Sequence, residues 1–284
     1  VSNEAKGPGR LDAHNRGVTP RVSIVLPTRN RASELREAVE SVFRQTFAAW
    51  ECLVVDDGSS DGTPGIASEL VRADRRVRTI RRDPGGSLSA ARNAGLAAAR
   101  GELVAFLDDD DRWLPEKLAL QTRLLEEDPA AAMVFGRVEL FGDAEGVWPR
   151  RPAPTRPTVR NLLASNFVPV STVVARRSAV ELVGGFDENL PVAEDYDLWI
   201  RLALASPLRS DDAVVARYRF DAARFERQRG DQIAALDAIV SRLEASREVP
   251  AAWLRPARRR IHRHHARTAC GWRARLSERW RAVF

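Results

Sequence analysis

Residues 103–113, LVAFLDDDDRW, set four carboxylates directly behind an apolar run. Asp108, Asp109, Asp110 and Asp111 repel one another, since two carboxylates at about 4 Å cost roughly 1 to 4 kcal/mol depending on the local dielectric. The cluster therefore calls for a cation. A hard divalent ion, Mg²⁺ or Mn²⁺, suits oxygen ligands and completes its shell with water and substrate phosphates. A solvated acidic turn, with Asp111 near the start of a helix at Pro115, is the alternative that any charge run carries. The position immediately after a buried strand favours the cation.

Two other polar groups end apolar runs in the same way. Thr28 and Asn30 follow residues 22–26 and Pro27, and Asp56 with Asp57 follow residues 52–55. Residues 77–80 and 103–107 give a third and fourth strand. A helix is predicted over residues 33–46, capped by Ser33, with Glu34 and Glu37 at its positive start and Leu35, Val39, Val42 and Phe43 on one face. Thr63 and Pro64 open the next helix, with Ile66, Leu70 and Val71 inward, and a small-residue helix over residues 87–100 stops at Gly101. Strands recurring at roughly 25 to 30 residues with helices between them make right-handed βαβ units and a mainly parallel sheet. In the order 3-2-1-4, the ends of strands 1, 2 and 4 are neighbours at the edge where such sheets bind ligands.

The second half is less regular. Residues 132–135, 137–141 and 170–175 suggest strands, and residues 142–157 a loop rich in Gly, Pro and Arg. Trp148 in that loop can stack on a sugar or simply anchor the loop. Glu194 and Asp195 precede a helix whose Leu198, Trp199 and Leu202 form a buried stripe, so by themselves they read as acids at a positive helix start. A further helix fits residues 225–243, with Ile233, Leu236, Ile239, Val240 and Leu243 at helical spacing, and Pro250 interrupts it.

The chain of 284 residues has a formal charge of +6, nearly all of its basic residues being arginine. Much of the excess lies after Arg255, beside Trp272, Trp280 and Phe284. His262, His264 and His265 in that tail have no thiol or acid beside them and read as part of a solvated basic helix. No dedicated fold with a basic groove and stacking aromatics is present, so nucleic acid is not an expected partner. Cys52 and Cys270 provide neither a disulfide framework nor a metal spacing. No run of about 18 apolar residues exists, and the polar lead over residues 1–20 lacks the apolar core of a secretory signal, so a disordered lead and a cytoplasmic protein are expected.

The turn after the first strand, PTRNRAS, has no glycine and cannot be a dinucleotide-binding turn. Gly85 and Gly86, ahead of the Ser87 helix, could bring amides near a phosphate or serve as a plain loop. The phosphate is then left to a metal on the aspartates. Together VSIVLPTRNRASELREAVESVFRQTF, ECLVVDDGSSDGT, ARNAGLAAARGELVAFLDDDDRW, GGFDE and EDYDLWIRL resemble the family 2 glycosyltransferases, in family order from Arg21 to Tyr218. The resemblance implies a GT-A fold, a Rossmann-like three-layer α/β/α arrangement with a helical C-terminal extension. It also implies an inverting hexosyltransferase that uses a UDP-, GDP- or dTDP-sugar.

Residue by residue, the resemblance gives Asp57, with Asp56 near it, to the nucleotide base. The family's Asp-x-Asp falls on Asp108 and Asp110, with Asp110 as metal ligand and the neighbouring acids on ribose or water. Pro27, Thr28, Asn30, Asp56, Asp57, Arg92, Asn93, Asp108 and Asp109 are thereby expected to bind the nucleotide sugar, Asp108 and Asp110 the metal. Asp195 matches the family's catalytic base, with Glu194 beside it.

A donor half over residues 21–112, an acceptor half over 113–220 and an Arg-rich extension over 221–284 are expected. The acceptor would be a sugar, a lipid-linked glycan or a small molecule. Arginines with interspersed aromatics suit the tail to an anionic membrane surface, or to a helix whose tryptophans pack on the catalytic domain. Two rivals are a non-catalytic nucleotide-sugar-binding module and a nucleotidyltransferase, although the latter normally carries a Gly-rich basic turn after strand 1.

Overall fold

The computed structural model describes residues 19–83 and 86–269. Strands β1 (Val22–Thr28), β2 (Trp50–Asp56), β3 (Val77–Arg81) and β4 (Leu103–Phe106) are parallel and lie in the order β3-β2-β1-β4, as the sequence predicts. Along β1, Val22, Ile24 and Leu26 enter one core while Val25 enters the other. This is the period-two alternation of a strand covered on both faces. β1 continues through Pro27 because β4 pairs only with Val22 to Val25, so the missing proline N–H is not needed there.

Helices α1 (Ala32–Phe43), α2 (Thr63–Ala73) and α3 (Leu88–Ala98) connect these strands. Ser33 does not cap α1; its hydroxyl donates to Glu34 instead. Ser87 does cap α3, accepting from the Ala90 amide at 3.1 Å. Small residues in α3 let it lie close on the sheet, and a side chain at Gly95 would overlap Val25.

Beyond β4 the sheet is mixed. β8 (Val174–Arg176) runs antiparallel to β4 and to β6 (Met133–Gly142), β6 pairs in parallel with β9 (Leu208–Phe220), and β5 (Arg112–Trp113) closes the edge antiparallel to β9. β5 follows β4 without an intervening helix, whereas α5 (Val159–Ala164) lies between β7 (Gly146–Trp148) and β8. Residues 132–141 form one strand with a register shift near Gly136, not two strands. The segment read as a loop contains β7 (Gly146–Trp148), paired with β6. Of residues 170–175, the first part is a 3₁₀ turn (Val170–Thr172) that swings Ser171 toward the aspartates. β9 escaped prediction because its burial is patchy and its sequence does not alternate cleanly.

The remaining helices are α4 (Lys117–Glu127), α5 (Val159–Ala164), α6 (Arg177–Leu182), α7 (Glu194–Ala205), α8 (Ala222–Ser246) and α9 (Ala251–Ala269). α4 therefore starts after Pro115, and Asp111 is not at its beginning. α1, α2 and α4 cover one face of the sheet; α3, α5, α7, α8 and α9 cover the other. Leu236, Ile239 and Val240 of α8 and Leu254, Ala257 and Ile261 of α9 are buried in the same core as Trp199. At about 1.5 to 3 kcal/mol for each large apolar side chain buried, the helical stretch after Asp221 contributes to the main core. Among the described residues no helix is long and apolar enough to cross a membrane. The first 18 residues of the expected lead, and Gly85, Cys270, Trp272, Trp280 and Phe284, lie outside the described residues.

Candidate functional site

Strand order β2-β1-β4 brings Asp56, Thr28 and the aspartate run to one sheet edge. Thr28 donates from Oγ1 to Asp109 at 2.8 Å, joining the end of β1 to the loop after β4. Asp56 accepts from the Ser59 amide and from Arg81, at 2.9 and 3.1 Å. Asp57 accepts from Arg82 at 2.9 Å and faces Arg29 at 4.0 Å. Gly86 sits against both Arg82 and Asp57, where a side chain would crowd them. Asn30 adopts a left-handed conformation, φ 53°, and ties the two loops together by accepting from the Ser60 amide at 2.8 Å. Pro27, buried like the rest of β1, immediately precedes Thr28.

The four aspartates do different things. Asp111 is fully buried, and both of its oxygens are taken, by the Ser171 hydroxyl at 2.5 Å and the Arg219 amide at 2.9 Å. Burial and the charges of Asp108 and Asp110 raise its pKa well above the carboxylate range. Asp110 accepts at one oxygen from both Arg31, at 3.2 Å, and Arg224, at 3.0 Å. Its pKa is raised by burial and Asp108 against those two arginines. Asp109 is pushed up to about 7 by burial, against the Thr28 hydrogen bond, with Asp110 and Asp108 adding to the rise. Asp108 accepts from Arg92 at 2.7 Å.

One oxygen each from Asp108, Asp110 and Asp111 lies within 4.8 Å of the others. Three hard oxygen donors at that spacing fit a divalent cation of the Mg²⁺ or Mn²⁺ type. Of the three, Asp111 already has both oxygens engaged in hydrogen bonds that hold the loop in shape. Arg31, Ser171, Arg219 and Arg224 join this site without having been singled out in the sequence. Only Arg31 carried a local signal, standing in the glycine-free turn after β1; the others come from elements far along the chain.

Arg92 connects the aspartates to the second acidic pair. Its side chain is buried; one nitrogen pairs with Asp108 and the other with Glu194. Burial opposes its charge, but Asp108 and Glu194 outweigh burial and hold it more firmly protonated than a free arginine. Glu194 and Asp195 open α7, and Ala193 before them is left-handed at φ 60°, which turns the chain sharply into the helix. Among the described residues Asp195 accepts only from the neighbouring Tyr196 amide, at 2.6 Å. Burial, and then Glu194, push its pKa up to about 7 against the pull of Arg92. A carboxyl poised near neutrality and without a cationic partner of its own is suited to accept a proton.

Asn93 does not join this cluster. Its amide exchanges hydrogen bonds with the Phe186 backbone, both at 2.9 Å, and donates to Glu188, so it fixes the turn at Gly184 and Gly185 ahead of α7. Trp148 lies in the β6–β7 hairpin and packs against the core on the α1 side of the sheet. Lys117 is buried on Trp113 and Gln121, and burial holds its pKa well below that of an ordinary lysine.

Residues 23–181 match the model of glycosyl transferase family 2. The chain is 32% identical over 181 residues to the UDP-Glc:alpha-D-GlcNAc-diphosphoundecaprenol beta-1,3-glucosyltransferase WfgD of Escherichia coli, a match covering 64% of this chain and 69% of that protein. It is 30% identical to the putative teichuronic acid biosynthesis glycosyltransferase TuaG of Bacillus subtilis, covering 64% and 72%. It is also 31% identical to an uncharacterized glycosyltransferase of Rickettsia felis, covering 71% of this chain but spanning only 34% of that longer protein. Among solved structures, S. aureus TarS 1-349 in complex with UDP-GlcNAc superposes with a TM-score of 0.70 at 21% identity, covering 91% of this chain and 77% of that one. The mannosyltransferase PcManGT of Pyrobaculum calidifontis, in complex with GDP-Man and Mn²⁺, gives 0.66 at 22% identity over 86% and 68%. These structures share the GT-A α/β fold with this chain.

Proposed function

Since the chain belongs to the family 2 glycosyltransferases, we propose that it moves a sugar from a nucleoside diphosphate to an acceptor hydroxyl by a single displacement with inversion. The observation that carries this reading is the Arg92 bridge, which links the metal-type carboxylate Asp108 to the helix start bearing Asp195. A leaving diphosphate and an attacking hydroxyl need opposite treatment, negative charge stabilised on one side and a proton removed on the other.

In this mechanism Asp195 takes the acceptor proton, and its position near neutrality matches the task. Glu194, engaged by Arg92, orients the start of α7 rather than serving as base. Asp56 and Asp57 bind the nucleobase side of the donor, with Thr28, Asn30 and Asp109 shaping the floor. Asn93 contributes through the turn it holds. A divalent cation held by Asp108 and Asp110 would offset the charge that develops on the leaving diphosphate. Residues 21–112 form the donor half, residues 113–220 the acceptor half, and residues 221–284 a helical extension.

The Escherichia coli relative, which uses UDP-Glc and a diphosphoundecaprenol-linked acceptor, and the UDP-GlcNAc complex of TarS favour a uridine donor and a lipid-diphosphate-linked or glycan acceptor. Because the chain spans a third of some relatives and more than two thirds of others, that choice belongs to this proposal. α9 supports a peripheral site at an anionic membrane: its exposed side carries Arg255, Arg259, His262 and Arg263. Its apolar side is taken up by the protein core.

The test is a panel of UDP-, GDP- and dTDP-sugars with Mn²⁺ or Mg²⁺, read by release of free nucleoside diphosphate. Product stereochemistry is then followed by NMR of the anomeric proton. Turnover with an inverted anomeric centre supports the reading. Donor binding without release points to a non-catalytic binding module, and release of pyrophosphate to a nucleotidyltransferase.

A further inference from the structure

Asp110, the expected metal ligand, already carries two cations. Arg31 comes from the loop after β1 and Arg224 from the first turn of α8, and the two guanidinium groups converge on the same carboxylate oxygen at 3.2 and 3.0 Å. The carboxylate side chain is only 9% exposed, while the two arginines are 33% and 41% exposed and have room to withdraw. A divalent ion cannot share that oxygen with both arginines, because it would bring two further positive charges to within a few ångströms of them.

The helix that carries Arg224 is anchored unevenly. Its buried side chains, Ala235, Leu236, Ile239, Val240 and Leu243, all lie in the second half. There Arg242 adds an ion pair to buried Asp197 of α7. The first turns are held by the Asp221 cap on the Arg224 amide, by the Ala222 amide on Asp143, by the Arg224–Asp110 pair and by the Phe225 ring against buried Phe220, with centroids 5.9 Å apart. Gly230 lies within the continuous helix between the two halves, and glycine inside a helix weakens it. A segment with few buried contacts is the part of a fold that opens at low cost.

We propose that Arg31 and Arg224 form a cationic latch on Asp110 which a divalent cation must displace, so that metal occupancy is coupled to release of the first turns of α8. This rests on the metal reading of Asp110 given above. In the metal-free state the arginines neutralise the cluster and keep the helix start against the aspartate loop. In the metal-bound state both guanidinium groups are set free beside the position where donor phosphates complete the ion's shell.

The experiment titrates Mn²⁺ alone, without donor, into the full chain by calorimetry, and follows backbone hydrogen exchange over residues 221–231 with and without Mn²⁺. Circular dichroism checks that each variant is folded. For Arg224→Gln the proposal expects Mn²⁺ to bind about tenfold more tightly than to the wild type, with a similar or smaller gain for Arg31→Gln. Arg224→Lys, which keeps a cation on a different stem, should fall between. Exchange at the start of α8 should quicken in the wild type when Mn²⁺ is added, and should be quick in Arg224→Gln without it.

Equal or weaker Mn²⁺ binding by both Gln variants overturns the latch while leaving the metal site standing. Exchange that Mn²⁺ leaves unchanged or slows in the wild type overturns the coupling to α8. Mn²⁺ binding that is absent in the wild type, or that survives Asp110→Asn undiminished, overturns the metal reading and the latch with it.

Discussion

Arg92 Nη2 and Asp108 Oδ1 meet at 2.7 Å, deep enough that the arginine side chain is only 2% exposed. The other arm of the same guanidinium grips Glu194, from a helix that begins about a hundred residues later in the chain. One buried cation thus sets the spacing between the acids after β4 and the acids that open α7.

Replacing Arg92 should therefore damage both stability and turnover. Arg92→Ala leaves the nearly buried Glu194 without its counterion and should cost about 3 to 5 kcal/mol in urea denaturation. Arg92→Lys retains the charge but cannot bridge two carboxylates from one planar group, so an intermediate loss is expected. A substitution to Ala with unchanged stability would show that the bridge does not hold the two walls together.

Asp195 gives a pH prediction. With its pKa near 7 in the free protein, the base is active only when deprotonated, so kcat/KM should rise with pH through about 7 and fall tenfold per unit below it. Asp195→Asn should lower turnover by roughly 10² to 10⁴ with little change in donor affinity. Its folded pKa is raised above the unfolded value, so the ionised form opposes folding. That penalty is absent below the unfolded pKa and complete above about 7. Asp195→Asn should accordingly be more stable than the wild type at pH 8, and the gap should close toward pH 4. Normal turnover in Asp195→Asn with loss in Glu194→Gln would reverse the assignment of the pair.

Asp110 and Asp111 should separate cleanly. Asp110→Asn is expected to abolish transfer with the fold intact, since its partners are half-exposed arginines, and an excess of chelator should have the same effect on the wild type. Asp111→Ala should instead destabilise the protein by about 2 to 4 kcal/mol, having stranded the buried Ser171 hydroxyl and the Arg219 amide. Thermal melts beside Mn²⁺ titrations distinguish the two. Full activity under chelation would count against the metal.

The exposed face of α9 can be tested without cutting the helix away, which would open the core at Leu254, Ala257 and Ile261. Changing Arg255, Arg259 and Arg263 together to Gln should weaken binding to vesicles rich in anionic lipid by about 3 kcal/mol, taking about 1 kcal/mol per basic residue. The loss should shrink as salt is raised. Equal cosedimentation of variant and wild type would rule out this face as the contact.

Much of this was legible in the chain itself. Four buried apolar runs spaced by amphipathic helices determine a mainly parallel sheet, because a strand covered on both faces must be apolar throughout and its crossovers must be right-handed, and the usual order of such units, β3-β2-β1-β4, is the one observed. That order brings Thr28, Asp56 and Asp108 to a common edge, and five motifs in family order carried the resemblance to the family. The second half could not be read as well. Residues 170–175 and 208–220 have no clean period, because the former contains a 3₁₀ turn and the latter is a patchily buried strand.

What only the tertiary structure decided is the division of labour within runs of identical residues. Asp108, Asp109, Asp110 and Asp111 are chemically alike in sequence, yet Ser171 and Arg219 reserve Asp111 for structure, Thr28 takes Asp109, Arg92 takes Asp108, and Arg31 with Arg224 take Asp110. Glu194 and Asp195 are likewise told apart by Arg92, which ion-pairs with the first and, among the described residues, forms no salt bridge with the second. Each partner lies on a different element, up to 114 residues away along the chain. A carboxylate's pKa and its freedom to bind depend on which charges and donors reach it through space, and no local pattern encodes them.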